Sequence, residues 1–216
     1  MTKPIFAAAL LAALSACSVS EAAAKPPLAP KPQLVVPNKA ETETAIFAGG
    51  CFWGVEGVFE QVKGVKSAVS GYAGGTGEAT YHAVGTGRTG HAEAVRVTFD
   101  PRVVSYAQLM QVFFSVITDP TQLNRQGPDY GTQYRNSLFP LTKAQDKQAR
   151  AYLAQLSKAG IYKNPIVTKI ETRTSFYPAE DYHQDFMRLN PRNPYILAHD
   201  RPKVIAFRDQ FSGLAK

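Results

Sequence analysis

The sequence predicts an α+β fold in which helices lie on a sheet, and three observations predict it. Stretches of strand-like alternation and stretches of three- and four-residue apolar spacing succeed one another along the chain. Glycine, Ser and Thr stand at their boundaries, where they cap or stop helices. The 216 residues are 44% hydrophobic and 19% charged, which is enough apolar mass for one buried core and too little charge for a disordered chain. The net charge of +7 is scattered without a basic run, so it reads as a surface bias and not as a nucleic-acid site.

The chain opens outside that domain. Residues 1–16, "MTKPIFAAALLAALSA", carry one Lys and then an Ala/Leu-rich run well short of the roughly 20 residues that span a bilayer, as an export signal does. Leu14-Ser15-Ala16-Cys17 resembles the lipobox of bacterial lipoproteins, which implies a lipid-modified Cys17 and a periplasmic domain held at a membrane. A plain signal cut after Ala24 would discard Cys17 instead. Residues 17–43, rich in Ala, Pro and Lys with no sustained period, read as a flexible tether. The folded domain is then residues 44–216, with a monomer as the default.

Within the domain, "TAIFAG" is a short apolar strand. "FWGVEGVFEQV" sets Phe52, Val55, Phe59 and Val62 on one helical face before a stop at Gly64. "VKSAVSGYAGG" reads as a strand running into a glycine loop. "AEAVRVTFDP" alternates strictly, with Glu93, Val95, Val97 and Phe99 on one face and Ala94, Arg96 and Thr98 on the other. Ser105 with Gln108, and Thr142 with Gln145, suit capping boxes for two further helices, the second stopping at Gly160. "PIVTKIETR" predicts another strand, and "AEDYHQDFMRLN" a last short helix before a Pro- and Asn-rich tail.

The chemistry centres on Cys51. With Cys17 lipidated or removed, it is the mature chain's one free thiol, and an unpaired cysteine in an oxidising compartment suggests reactivity. It stands where a strand gives way to a helix, so unpaired backbone N–H groups and the positive helix end would favour thiolate over thiol. Gly49 and Gly50 allow a sharp turn, and Phe52 and Trp53 add an apolar wall. A buried structural cysteine is the other reading of the same stretch. Glu93 shares its strand face with core residues, and desolvation there would keep its carboxyl protonated near neutral pH, as a proton donor requires. An edge position that reaches water is its alternative. Tyr72, Tyr81, Tyr130, Tyr134 and Asp129 lie in glycine-rich loops that could bring hydroxyls to a developing charge on oxygen.

The stretches "GGCFWGVEGVF", "GYAGG", "TYHAVGTGRTGHAEAVRVTFDP", "DPTQLNRQGPDYGTQYRNSLF" and "YHQDF" recur in order from about Thr44 to about Asn190 and closely resemble peptide methionine sulfoxide reductase A. The resemblance implies a two-layer α/β sandwich with a mixed sheet, and reduction of methionine S-sulfoxide. It implies that Cys51 is the catalytic nucleophile and that Phe52 and Trp53 hold the S-methyl group. It makes Glu93 the acid, Tyr81 and Tyr134 the hydrogen-bonding tyrosines, and Asp129 an active-site acid. No cofactor and no metal are implied. The partners are oxidised proteins or peptides and a thiol reductant, thioredoxin- or glutaredoxin-like or small.

One departure matters. Many members carry further cysteines near the C-terminus, and "NPRNPYILAHDRPKVIAFRDQF" has none. The expectation is a one-cysteine enzyme whose sulfenic acid is reduced from outside. Two competing readings remain: a cysteine hydrolase or acyltransferase using His82, His91, His183 or His199 as base, and an anchored binding protein with Cys51 merely buried. Glu180 and His183 form an E-x-x-H pair that could ligate a metal, but no second such pair exists, so a capping or solvated role is expected.

Overall fold

The computed structural model describes residues 26–216. The export signal, Cys17 and the first part of the tether fall outside the described residues. Strands β1 (Glu43–Gly49), β2 (Val65–Ala73), β3 (Ala92–Phe99), β6 (Asn136–Phe139), β7 (Lys169–Ile170) and β8 (Phe176–Pro178) form one sheet in the order β7-β6-β1-β3-β2-β8. All its pairings are antiparallel except β6 with β7, so the sheet is mixed. A separate hairpin joins β4 (Arg125–Gln126) to β5 (Asp129–Tyr130). The helices are α1 (Phe52–Glu60), α2 (Tyr81–Gly85), α3 (Tyr106–Val112), α4 (Lys143–Ala159), α5 (Phe186–Leu189) and α6 (Arg201–Gln210).

The alternation in β3 sorts its side chains as the sequence predicts. Val95, Val97 and Phe99 join Phe47, Phe59, Tyr106 and Phe113 in the main core between sheet and helices. Ala92 and Ala94 face the other way, into a small cluster with Ile46, Ala48 and Phe139. Helix α1 is buried on nearly every side, because sheet, α5 and α6 all pack around it.

The two predicted caps hold differently. Ser105 and Gln108 form the full reciprocal box at α3. At α4, Thr142 accepts from the Gln145 N–H, and Gly160 closes the helix in the left-handed conformation (φ 62°). The Gln145 side chain leaves the box, accepting from Leu141 N–H and donating to Glu43 and the Thr44 carbonyl. It thereby ties α4 to β1.

Other expectations are corrected. Helix α1 ends at Glu60, and Gly64 serves the turn that follows it. The final short helix is broken, because Asp185 adopts a positive φ of 55° between a 3-10 turn (Asp181–His183) and α5. "PIVTKIETR" contributes only two paired residues, Lys169 and Ile170. The Pro- and Asn-rich tail is in fact helical: Pro202 sits in the first turn of α6, where its missing N–H costs nothing. Between α3 and the next loop, Phe113–Ile117 widen into a π-helical turn.

The described part of the tether lies on the domain. Ala29 is fully buried; its N–H donates to Ser115 Oγ, and its carbonyl accepts from Gln111. Tyr152 donates to the Pro30 carbonyl, and Gln155 and Gln148 accept from the Gln33 and Val36 N–H groups.

Candidate active site

Cys51 is the N-cap residue of α1 and is 8% exposed. Gly50 makes the turn into it with φ +93°, and a Cβ there would overlap the Gln126 side chain, so only glycine fits. The carboxyl of Glu93 reaches the same end of the helix: the Phe52 N–H donates to Glu93 Oε2 at 3.0 Å. Strand parity brings it there, since Glu93 sits two residues before Val95 on the core face.

Seven predicted residues, Cys51, Phe52, Trp53, Tyr81, Glu93, Asp129 and Tyr134, line a single cavity of about 340 Å³. Tyr81 opens α2, whose N-cap Thr80 accepts from Ala83 N–H, and its own N–H donates to Glu180 at 2.9 Å. Asp129 comes from the β4–β5 hairpin and Tyr134 from the turn after it. Two candidate tyrosines lie elsewhere. Tyr72 is fully buried with its hydroxyl on Glu180 at 2.8 Å, and Tyr130 is exposed beneath the Arg125 guanidinium.

The tail brings residues that the motifs did not single out. Tyr195 and Asn193 complete the cavity, and the Tyr195 hydroxyl donates to Asp129. Trp53 stacks on Phe186 with centroids 3.8 Å apart and planes 11° apart, and meets Tyr195 edge-on. Its indole N–H donates to His183 Nδ1 at 3.1 Å, which leaves the His183 proton on Nε2. For Asn193 and Tyr195 the sequence offers only the Asn-Pro-Tyr run as a signal.

Burial dominates the electrostatics. Glu93 is 3% exposed, and desolvation, aided by Asp129 and Asp200 and opposed by the Phe52 N–H, raises its carboxyl from an ordinary 4.5 to about 8. Tyr81 and Tyr134 are likewise held as neutral hydroxyls, by burial and then by Glu93. Cys51 departs from expectation. The Trp53 N–H at the helix start does favour thiolate, but burial, Glu93 and Asp200 outweigh it and raise the thiol well above its usual value. At rest the site therefore holds two protons, one on each partner.

None of the four histidines, His82 included, lines the cavity that holds Cys51. His91 uses both ring nitrogens on the backbone of Gly75 and Gly77. His183 holds Trp53 and is kept neutral by burial, and His199 lies against the Tyr195 ring. Glu180 accepts from the Tyr72 hydroxyl and the Tyr81 N–H.

A family profile described as peptide methionine sulfoxide reductase matches residues 43–214. The chain belongs to that family. A relative from Mesorhizobium japonicum, called peptide methionine sulfoxide reductase MsrA 2, is 60% identical to this reductase over 174 residues, covering 80% of this chain and 89% of the relative. One of the same name from Synechocystis is 51% identical over 176 residues, covering 81% and 82%. Among solved structures, the reduced form of Mxr1 from Saccharomyces cerevisiae is 33% identical with a TM-score of 0.62, covering 74% of this chain and 92% of that one. Methionine sulfoxide reductase A of Corynebacterium diphtheriae is 35% identical with a TM-score of 0.61, covering 76% and 84%.

Proposed function

We propose that this reductase converts methionine S-sulfoxide, in oxidised proteins and peptides, to methionine, with Cys51 as nucleophile and Glu93 as acid. The observation that carries the assignment of roles is the Phe52 N–H bond to Glu93, which sets a protonated carboxyl at the helix end that bears the thiol. Glu93 gives its proton to the sulfoxide oxygen while the Tyr81 and Tyr134 hydroxyls donate hydrogen bonds to it. The sulfur so activated is attacked by Cys51, whose own proton leaves to solvent as the new bond forms. The hydroxyl then passes to the Cys51 sulfur as the substrate sulfur–oxygen bond and the new sulfur–sulfur bond break, giving a sulfenic acid and methionine, and Glu93 regains its proton from solvent. Phe52 and Trp53 hold the S-methyl group, and Asp129 fixes the Tyr195 hydroxyl at the cavity wall.

The electrons come from the thiol itself, so no bound cofactor takes part. Cys51 is the one free cysteine among the described residues. An external thiol condenses with the sulfenic acid, releasing water, and a second thiol frees Cys51 from the mixed disulfide. We further read the chain as exported to the periplasm and held at a membrane through Cys17, as a monomer. No described helix is long and apolar enough to cross a membrane. Incorporation of labelled fatty acid into the full chain, lost in Cys17→Ala, tests the anchor.

A single turnover without reductant, on separate S- and R-sulfoxide peptides, tests the reaction. One methionine per enzyme from the S epimer alone, with one oxygen gained on Cys51, is the expected result. No methionine from folded protein would reject the assignment.

A further inference from the structure

The C-terminal segment places two charged side chains against the site that the mechanism above does not use. Asp200 ends a π-helical turn (Ile196–Asp200), and Lys203 lies in the first turn of α6. Asp200 is fully buried; its Oδ1 accepts from Lys203 Nζ at 3.1 Å, and its Oδ2 has no hydrogen-bond partner. Both groups press on α1. A Cβ on Gly54 would overlap Asp200 Oδ1 and lie 3.0 Å from Lys203 Nζ, so a bare glycine is what admits the pair. Gly54 is the third residue of the helix that Cys51 caps, which puts the pair against the first turn of that helix, at the end where backbone N–H groups are unpaired.

We propose that Asp200 and Lys203 form a positioning pair that sets the reactivity of Cys51: the carboxylate holds the ammonium against the first turn of α1, where it stabilises the thiolate, and its own charge limits that effect. The reasoning rests on Cys51 as the reacting thiol. In a dry site each charge acts strongly on the sulfur and the two act in opposite senses. The other groups facing Cys51 are Glu93 from β3, Tyr81 from α2, Tyr134 from a 3-10 turn (Thr132–Tyr134) and Tyr195 at the start of the π-helical turn; Asp129 and His199 face Asp200. Among the described residues, Lys203 is the side chain whose charge favours the thiolate. Its position on α6 makes the C-terminal helix part of the catalytic apparatus without any cysteine in it.

The test is the pH profile of iodoacetamide alkylation at Cys51 in the full chain, without sulfoxide or reductant. Lys203→Met is expected to slow alkylation about fivefold near neutral pH and move the profile to higher pH, with Lys203→Arg restoring it. Asp200→Asn keeps an acceptor for Lys203 while removing the negative charge, and is expected to move the profile to lower pH. Opposite shifts separate a charge effect from loss of packing, which would move both variants alike. Profiles that coincide with the parent, or that shift in the same direction, overturn the proposal. Sulfoxide plays no part in the readout, so such a failure is distinct from failure of the reductase assignment.

Discussion

Glu93 combines a structural cost with a chemical use. Its carboxyl titrates at about 8 in the folded chain against an ordinary 4.5, because burial disfavours the charged form. A raised carboxyl contributes stability that is fully present below about 4.5 and lost as pH rises through about 8. Glu93→Gln keeps an acceptor for the Phe52 N–H but cannot ionise, so it is expected to melt higher than the parent at about pH 9, while the two converge in acid. The same variant should lose about 100-fold or more in single-turnover rate, since its amide donates no proton. The parent's rate should fall as pH rises through about 8, as the donor is lost. Alternation on β3 was enough to place Glu93 on the core face. That the Cys51 thiol is held protonated was not legible, because Asp200 and the depth of burial enter from distant parts of the chain.

At the scale of elements, local chemistry sets the ends of helices and remote chemistry sets their surroundings. Thr142 and Gly160 bound α4 through contacts within one turn, and both were readable from their spacing. Thr142→Ala is expected to cost about 1 kcal/mol in denaturant unfolding. Gly160→Ala, at φ 62°, should cost about as much. The same logic missed α6, where Pro202 reads equally as a breaker or as a first-turn residue. Only the apolar contacts of Val204, Ala206 and Phe207 with the main core decide between them. Breakage at Asp185 is likewise decided remotely: its N–H donates to Glu56 Oε1 on α1, which draws the backbone out of helical register.

Across the whole molecule, the N-terminal segment that composition marked as tether behaves, from Pro26 to Val36, as a strap over α3 and α4. Removing residues 26–36 should lower the melting temperature by about 5 °C while leaving single-turnover reduction intact, since none of those residues lines the cavity. The sequence by itself determined the kind of fold, the strand parity, the caps at Ser105, Thr142 and Gly160, and the motif residues that gather at the cavity, because periodicity and capping act over a few neighbouring residues. Tertiary structure alone decided that Tyr72 turns from the cavity to Glu180, that Tyr195 enters it, that Ala29 is buried, and that Asp200 and Lys203 press on Gly54 of α1. Each of these joins segments far apart in the chain, and such contacts depend on how the sheet and helices close on one another, which no local pattern records.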